Sequence, residues 1–79
     1  MRHETFVKEL EEELEALIIA VPKEEAAYQF YINLANTTKR EGARKIFHLL
    51  AEQEIKHKNT LEKMVQDIQK DLSKFKSEN

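Results

Sequence analysis

Glu54 and His57 interrupt a helical stripe that is otherwise apolar: Phe47, Leu50, Glu54, His57, Leu61, Met64 and Ile68. The steps alternate three and four residues, so these side chains share one face of a helix, and a face of that composition is expected to be buried. A carboxylate and an imidazole side by side in such a place are costly unless something satisfies them. A divalent metal does so most economically.

The pair needs a partner from elsewhere in the chain. Upstream, Leu17, Ala20, Glu24, Ala27, Tyr31 and Leu34 form a second stripe that again carries one acid. A neighbouring stripe, Ile18, Val21, Glu25, Tyr28, Ile32 and Ala35, is just as apolar, so periodicity leaves Glu24 and Glu25 equivalent. Between these stripes and the Glu54/His57 stripe, the poor helix formers Asn36, Thr37 and Thr38 precede a turn signal at Lys39 to Gly42. In an antiparallel hairpin, residues equidistant from the turn lie at one height. The midpoint of Glu24 and the Glu54/His57 pair falls at Lys39-Arg40. Helical rise is equal on both arms, roughly 23 Å over about fifteen residues, so Glu24 is expected level with Glu54 and His57.

Three helical stretches would position these residues. In an N-terminal segment, 1–21, Phe6, Leu10, Leu14, Leu17 and Val21 recur at helical spacing, with Glu9, Glu11, Glu12, Glu13 and Glu15 mostly opposite as a solvated face. Pro22 lacks the backbone donor, which predicts a break or kink near Ala20 to Lys23. A first ligand helix then spans 22–38 and a second 41–73, the second outrunning its partner. A short turn between them makes an all-α, antiparallel two-helix hairpin.

Composition agrees. Of 79 residues, 41% are hydrophobic and 35% charged, with one Gly and one Pro, as suits a single helical domain. There is no Cys, which excludes disulfides, thiolate metal sites and iron-sulfur clusters. So small a core needs a structural metal or oligomerisation. A net charge of -2 offers no basic surface for nucleic acid, and Lys70, Lys74 and Lys76 read as a solvated last turn. The apolar run Ala16 to Pro22 is too short to span a membrane, and the Arg2-His3-Glu4 start does not read as a leader, so a cytoplasmic location is expected.

One chain thus offers one Glu and one Glu-x-x-His, half of a dinuclear carboxylate site. Two copies would complete it, as a homodimer or a higher even-numbered homo-oligomer built on a four-helix bundle. Two metals would then neutralise four carboxylates that otherwise repel one another. The oxygen-rich donor set favours iron or manganese, and zinc would bind too.

At this point the chain resembles the ferritin-like, rubrerythrin-type di-iron family over roughly residues 16 to 64. The stretch Glu24 to Ala35 resembles the family's first ligand helix, where a metal-binding Glu precedes a Tyr by seven residues; Glu24, with Tyr31, satisfies this and Glu25 does not. Ile46 to His57 resembles the second ligand helix. With a single hairpin, the chain is most similar to the short encapsulated ferritins. The resemblance implies a ferroxidase centre across a two-fold interface, with Glu24, Glu54 and His57 as iron ligands and Tyr31 ordering the carboxylates. It also implies an encapsulin-type compartment shell as partner and a location inside a protein nanocompartment, although Phe75 to Asn79 holds no Gly/Leu-rich docking tail. Lys23 and Ala26 stand where that subfamily has further acids.

The function expected is oxidation of Fe(II) to Fe(III) for iron storage or detoxification. Two alternatives stand beside it: a metal-stabilised helical dimer serving as a structural or binding module, and rubrerythrin-like peroxide scavenging.

Overall fold

The computed structural model describes residues 2–77. It contains two helices, α1 (Arg2–Thr37) and α2 (Glu41–Ser77), packed antiparallel into a rod 59 Å long and 14 Å across. The all-α hairpin is as the periodicity predicts, and its turn, residues 38–40, lies where the mirrored residues require it.

The boundaries differ from expectation in one physical respect. No break occurs at Pro22: the expected segments 1–21 and 22–38 are one helix. An interior proline costs about 3 kcal/mol, because it removes a hydrogen bond and crowds the preceding turn. Leu14, Leu17, Val21, Glu24 and Tyr28 nevertheless keep one periodicity through Pro22, and Pro22 itself points outward, so packing against α2 carries the helix across. With α1 continuous at 36 residues, α2 at 37 does not outrun it; α2 ends at Ser77 instead of the expected Ser73. The first turns of α1 pack on the last turns of α2, where Leu10, Ile68 and Leu72 are buried and Phe6 meets Phe75 edge to face at 5.1 Å.

The inward-facing positions are regular. On α1 they are Val7, Leu10, Leu14, Leu17, Val21, Glu24, Tyr28, Tyr31 and Ala35, with Thr38 next in step just past its end, and on α2 Arg44, Phe47, Ala51, Glu54, Lys58, Leu61, Val65, Ile68, Leu72 and Phe75. Steps of three and four alternate without a fault along both, which is the seam of a two-stranded coiled coil. This corrects the predicted α2 stripe. Phe47, Glu54, Leu61 and Ile68 do lie in the seam, but Leu50, His57 and Met64 lie along one edge of it, and His57 and Met64 are exposed. Lys58 and Arg44 occupy seam positions that an apolar pattern passes over.

The turn is held by its own polar groups. Arg44 donates from its guanidinium to the Thr38 carbonyl at 3.1 Å, and its backbone N–H closes the first turn of α2 on the Arg40 carbonyl at 3.0 Å. Gly42 is not the turn residue expected: it lies inside α2, and no described residue has a positive φ.

The two edges of the seam differ. One presents Ala16, Ala20, Ala27, Phe30 and Leu34 of α1 beside Ile46, Leu50, His57 and Met64 of α2, with Phe30, Ile46 and Met64 exposed. The opposite edge mixes Ile18, Ile32 and Ile55 with Glu25, His48, Glu52, Lys56, Glu62 and Gln69. The apolar edge leaves helix surface uncovered, and a core of Leu10, Ala35, Ala51, Ile68 and Leu72 is small against the entropy of ordering such a chain.

Candidate metal centre

Glu24 enters the seam from α1, level with Glu54 from α2, and His57 stands one turn beyond Glu54 on the same helix. Nδ1 of His57 lies 3.6 Å from Glu24 Oε2 and 3.8 Å from Glu54 Oε2. One ligand atom from each of the three residues falls within 4.8 Å of the others. The three sequence-predicted ligand candidates are therefore brought together within a single chain, as the mirror argument requires.

Their surroundings could accommodate a cation. Glu24 Oε2 is buried and has no hydrogen-bond partner. A buried carboxylate oxygen without a donor is costly, and a metal ion is one remedy. The Glu54 carboxyl is held above its ordinary value, first by hydrogen bonding with Glu24, then by burial and by the negative charge of Glu24, with His57 pulling the other way. These observations share one cause: two carboxyls stand side by side in the seam, and with both ionised neither can donate to the other. A divalent cation would satisfy both groups. His57 is the exposed member, with 63% of its side chain open on the apolar edge. Two carboxylates and an imidazole leave coordination positions unfilled on that side, which suits iron or manganese and does not exclude zinc.

Glu25, equivalent to Glu24 by periodicity, goes elsewhere. Lys58 donates from Nζ to Glu25 Oε2 at 2.8 Å on the opposite edge. The contact lowers the Glu25 carboxyl and raises the Lys58 ammonium, in each case first by the hydrogen bond and then by the opposite charge. This pairing was not foreseen from the sequence. Its signal was a lysine at a seam position one turn after Glu54.

Tyr31 lies one heptad from Glu24 toward the turn, about 10.5 Å along the axis. It is half-buried and packs edge to face on Phe30 at 5.4 Å, apart from the Glu24/Glu54/His57 cluster of its own chain. Tyr28 is half-buried beside Ile32 and Ala51, as a packing residue. The last two residues of the Phe75 to Asn79 tail lie outside the described residues. No helix among the described residues is long and apolar enough to cross a membrane.

Residues 15–79 match the family model described as Rubrerythrin, so the match contains all three clustered residues, the whole of α2 and α1 from Glu15 onward. Neither a curated protein nor a solved structure gives a significant match.

Proposed function

This chain belongs to the rubrerythrin family, whose members typically bind iron, and from that premise we propose that two copies pair through the apolar edge to form a di-iron centre that oxidises Fe(II) to Fe(III). The observation that carries the reading is the buried, unpartnered Glu24 oxygen beside Glu54 and His57. Three ligands from one chain are too few for two metals; three from each of two chains make the four-carboxylate, two-imidazole set of a helical-bundle di-iron site. Small Ala16, Ala20 and Ala27 on the same edge permit close approach of a second hairpin, and exposed Phe30, Ile46 and Met64 supply apolar surface for it to cover.

Iron is the substrate as well as the bound ion. Each Fe(II) surrenders one electron to O₂ or peroxide, which is chemistry that no side chain in the site can supply. The chain's own residues bind and hold. Glu24, Glu54 and His57 of each copy would hold the two irons, and the ionised carboxylates would favour the more highly charged product. The raised carboxyl of Glu54 means that any proton it carries is displaced as a divalent ion binds. The role proposed for Tyr31, ordering the carboxylates, requires the cluster of the second copy, since its own lies a heptad away.

The test is addition of Fe(II) under air, followed by the growth of Fe(III) absorbance. Rapid growth in the wild-type chain that is lost in Glu54→Ala and His57→Ala supports the reading; an unchanged rate in both variants sinks it. Family membership also favours a second reading, in which peroxide is the physiological oxidant. These 79 residues hold no Cys and so no rubredoxin-type iron site, and electrons for repeated peroxide turnover would have to come from outside them. A rate markedly higher with peroxide than with O₂ at equal concentration would select it.

A further inference from the structure

We infer that Lys58 and Glu25 form the positioning pair of the metal centre: their ion pair on one edge of the seam fixes the rotation of α1 that presents Glu24, and not Glu25, to Glu54 and His57 on the other edge. The inference rests on the reading that these three residues hold metal.

Two pairs of sequence neighbours carry it. Glu24 and His57 stand 3.6 Å apart on the apolar edge, while Glu25 and Lys58, each the next residue along its helix, meet at 2.8 Å on the opposite edge. Successive residues of a helix point about 100° apart, so the two contacts bracket the seam from its two sides. If α1 turned to bring Glu25 inward, the Glu25 carboxylate would leave the edge on which Lys58 emerges, and Glu24 would leave the cluster. A slip of one residue along the axis does the same.

Such a device is needed because the apolar pattern does not choose. Glu24 and Glu25 sit in equally apolar local stripes, and the buried cluster that sets the seam, Leu10, Ile68 and Leu72, lies two heptads away from the site. Without metal the preferred arrangement is also self-repelling, since it sets the carboxylates of Glu24 and Glu54 together with a buried oxygen lacking a donor. Something outside the cluster must hold it before metal arrives. Lys58 is placed to do so. It takes a seam position between Glu54 and Leu61, with 27% of its side chain exposed, so the stem packs in the seam while the ammonium emerges beside Glu25. A polar residue at one seam position of a coiled coil commonly specifies register at some cost in stability. With Glu25 43% exposed, the pair adds little to stability itself, which lets the two roles be separated.

The experiment uses Co(II) as probe on the full chain, measuring affinity by calorimetry, the visible Co(II) spectrum, and the metal-free melting temperature. Lys58→Met keeps the stem and removes the charge; Lys58→Arg keeps the charge. Lys58→Met is expected to melt close to wild type yet to bind Co(II) about tenfold or more weakly, with an altered spectrum, as for loss of a residue that orients a ligand. Lys58→Arg should recover affinity to within about threefold. Glu25→Leu should reproduce the loss, and the double variant should be no weaker than either single, the signature of one shared interaction. Wild-type affinity and spectrum in Lys58→Met, or losses that simply add in the double variant, would overturn the inference. Should Lys58→Met fail to fold, Glu25→Leu decides alone, because that position lies at the edge. Absence of Co(II) binding by the wild-type chain overturns this inference together with the metal reading, whereas wild-type binding with undiminished variant binding overturns the positioning role alone.

Discussion

Glu24 Oε2 and His57 Nδ1 face each other across the helical seam at 3.6 Å, one from each arm of the hairpin. The contact makes Glu24 the acid whose loss should matter most among those of α1. Glu24→Gln keeps the shape and removes the charge; it is expected to lower Mn(II) and Fe(II) affinity by more than the roughly 10- to 100-fold typical of a lost supporting partner. Glu52→Gln, exposed and outside the cluster, should change affinity less than about twofold, a margin within the scatter of surface substitutions. Anaerobic calorimetric titration of the two variants checks this, and equal losses would contradict it.

The metal-free chain should show an unusual pH dependence. A carboxyl whose folded value is raised binds its proton more tightly in the folded state. Its contribution to stability is complete below the ordinary value of 4.5 and is lost as pH rises through the raised value, which is the direction for Glu54. Glu25 runs oppositely: held low by Lys58, it contributes above 4.5 and loses that contribution as pH falls. The two windows lie on either side of the ordinary value. Glu54→Gln is therefore expected to melt higher than wild type at neutral pH without metal, with the gap closing as pH falls toward the ordinary value. Added Mn(II) should reverse the order by stabilising only the wild type. Melting curves with and without a chelator read both effects.

Much of this was legible in the sequence, for reasons that particular residues make clear. The turn near Lys39-Arg40 follows from poor helix formers between two periodic arms, and equal helical rise then places Glu24 opposite Glu54 and His57. Three features were not legible. Pro22 signals a boundary locally, but the seam residues on either side of it keep one register, and tertiary packing outweighs the local cost. The α2 seam passes through Arg44 and Lys58, which an apolar pattern skips, so Leu50, His57 and Met64 read as core when they line an edge. Periodicity within the local stripes left Glu24 and Glu25 open and only the resemblance chose Glu24; once α1 runs on through Pro22 its seam steps lead from Leu17 and Val21 to Glu24, and Glu25 goes to Lys58 instead.

The asymmetry of the two edges gives a prediction about assembly. Met64→Lys puts a charge on the apolar edge, where Met64 is already 45% exposed in the single chain, so it should leave the hairpin folded while reducing particle mass and abolishing iron oxidation. Ile18→Lys, on the opposite edge, should leave the mass of the proposed two-chain particle unchanged. Sedimentation analysis with parallel oxidation assays distinguishes them. The wild-type melting temperature should also rise with protein concentration, as it does for any particle whose folding is coupled to association.

Two backbone substitutions should stabilise the chain without touching the cluster. A methyl group at Gly42 would meet nothing within 4 Å, so Gly42→Ala is expected to add about 0.5–1 kcal/mol by removing the excess freedom of glycine from a helix. Pro22→Ala restores a donor to the turn before Glu24 and should add up to about 3 kcal/mol. Thermal melts at fixed concentration check both, and a fall in either would mean that the residue supports a contact made only between copies.

A chain that carries one Glu24/Glu54/His57 set has no second set to vary independently. In a centre made from two identical copies, every substitution is written twice, once on each side of the two-fold axis, and the two metals remain chemically equivalent. A relative with both sets in one polypeptide can let its halves diverge, one toward binding and the other toward reactivity. In the proposed two-copy centre this hairpin would have no such freedom: a ligand change would be acceptable only if it were acceptable facing itself.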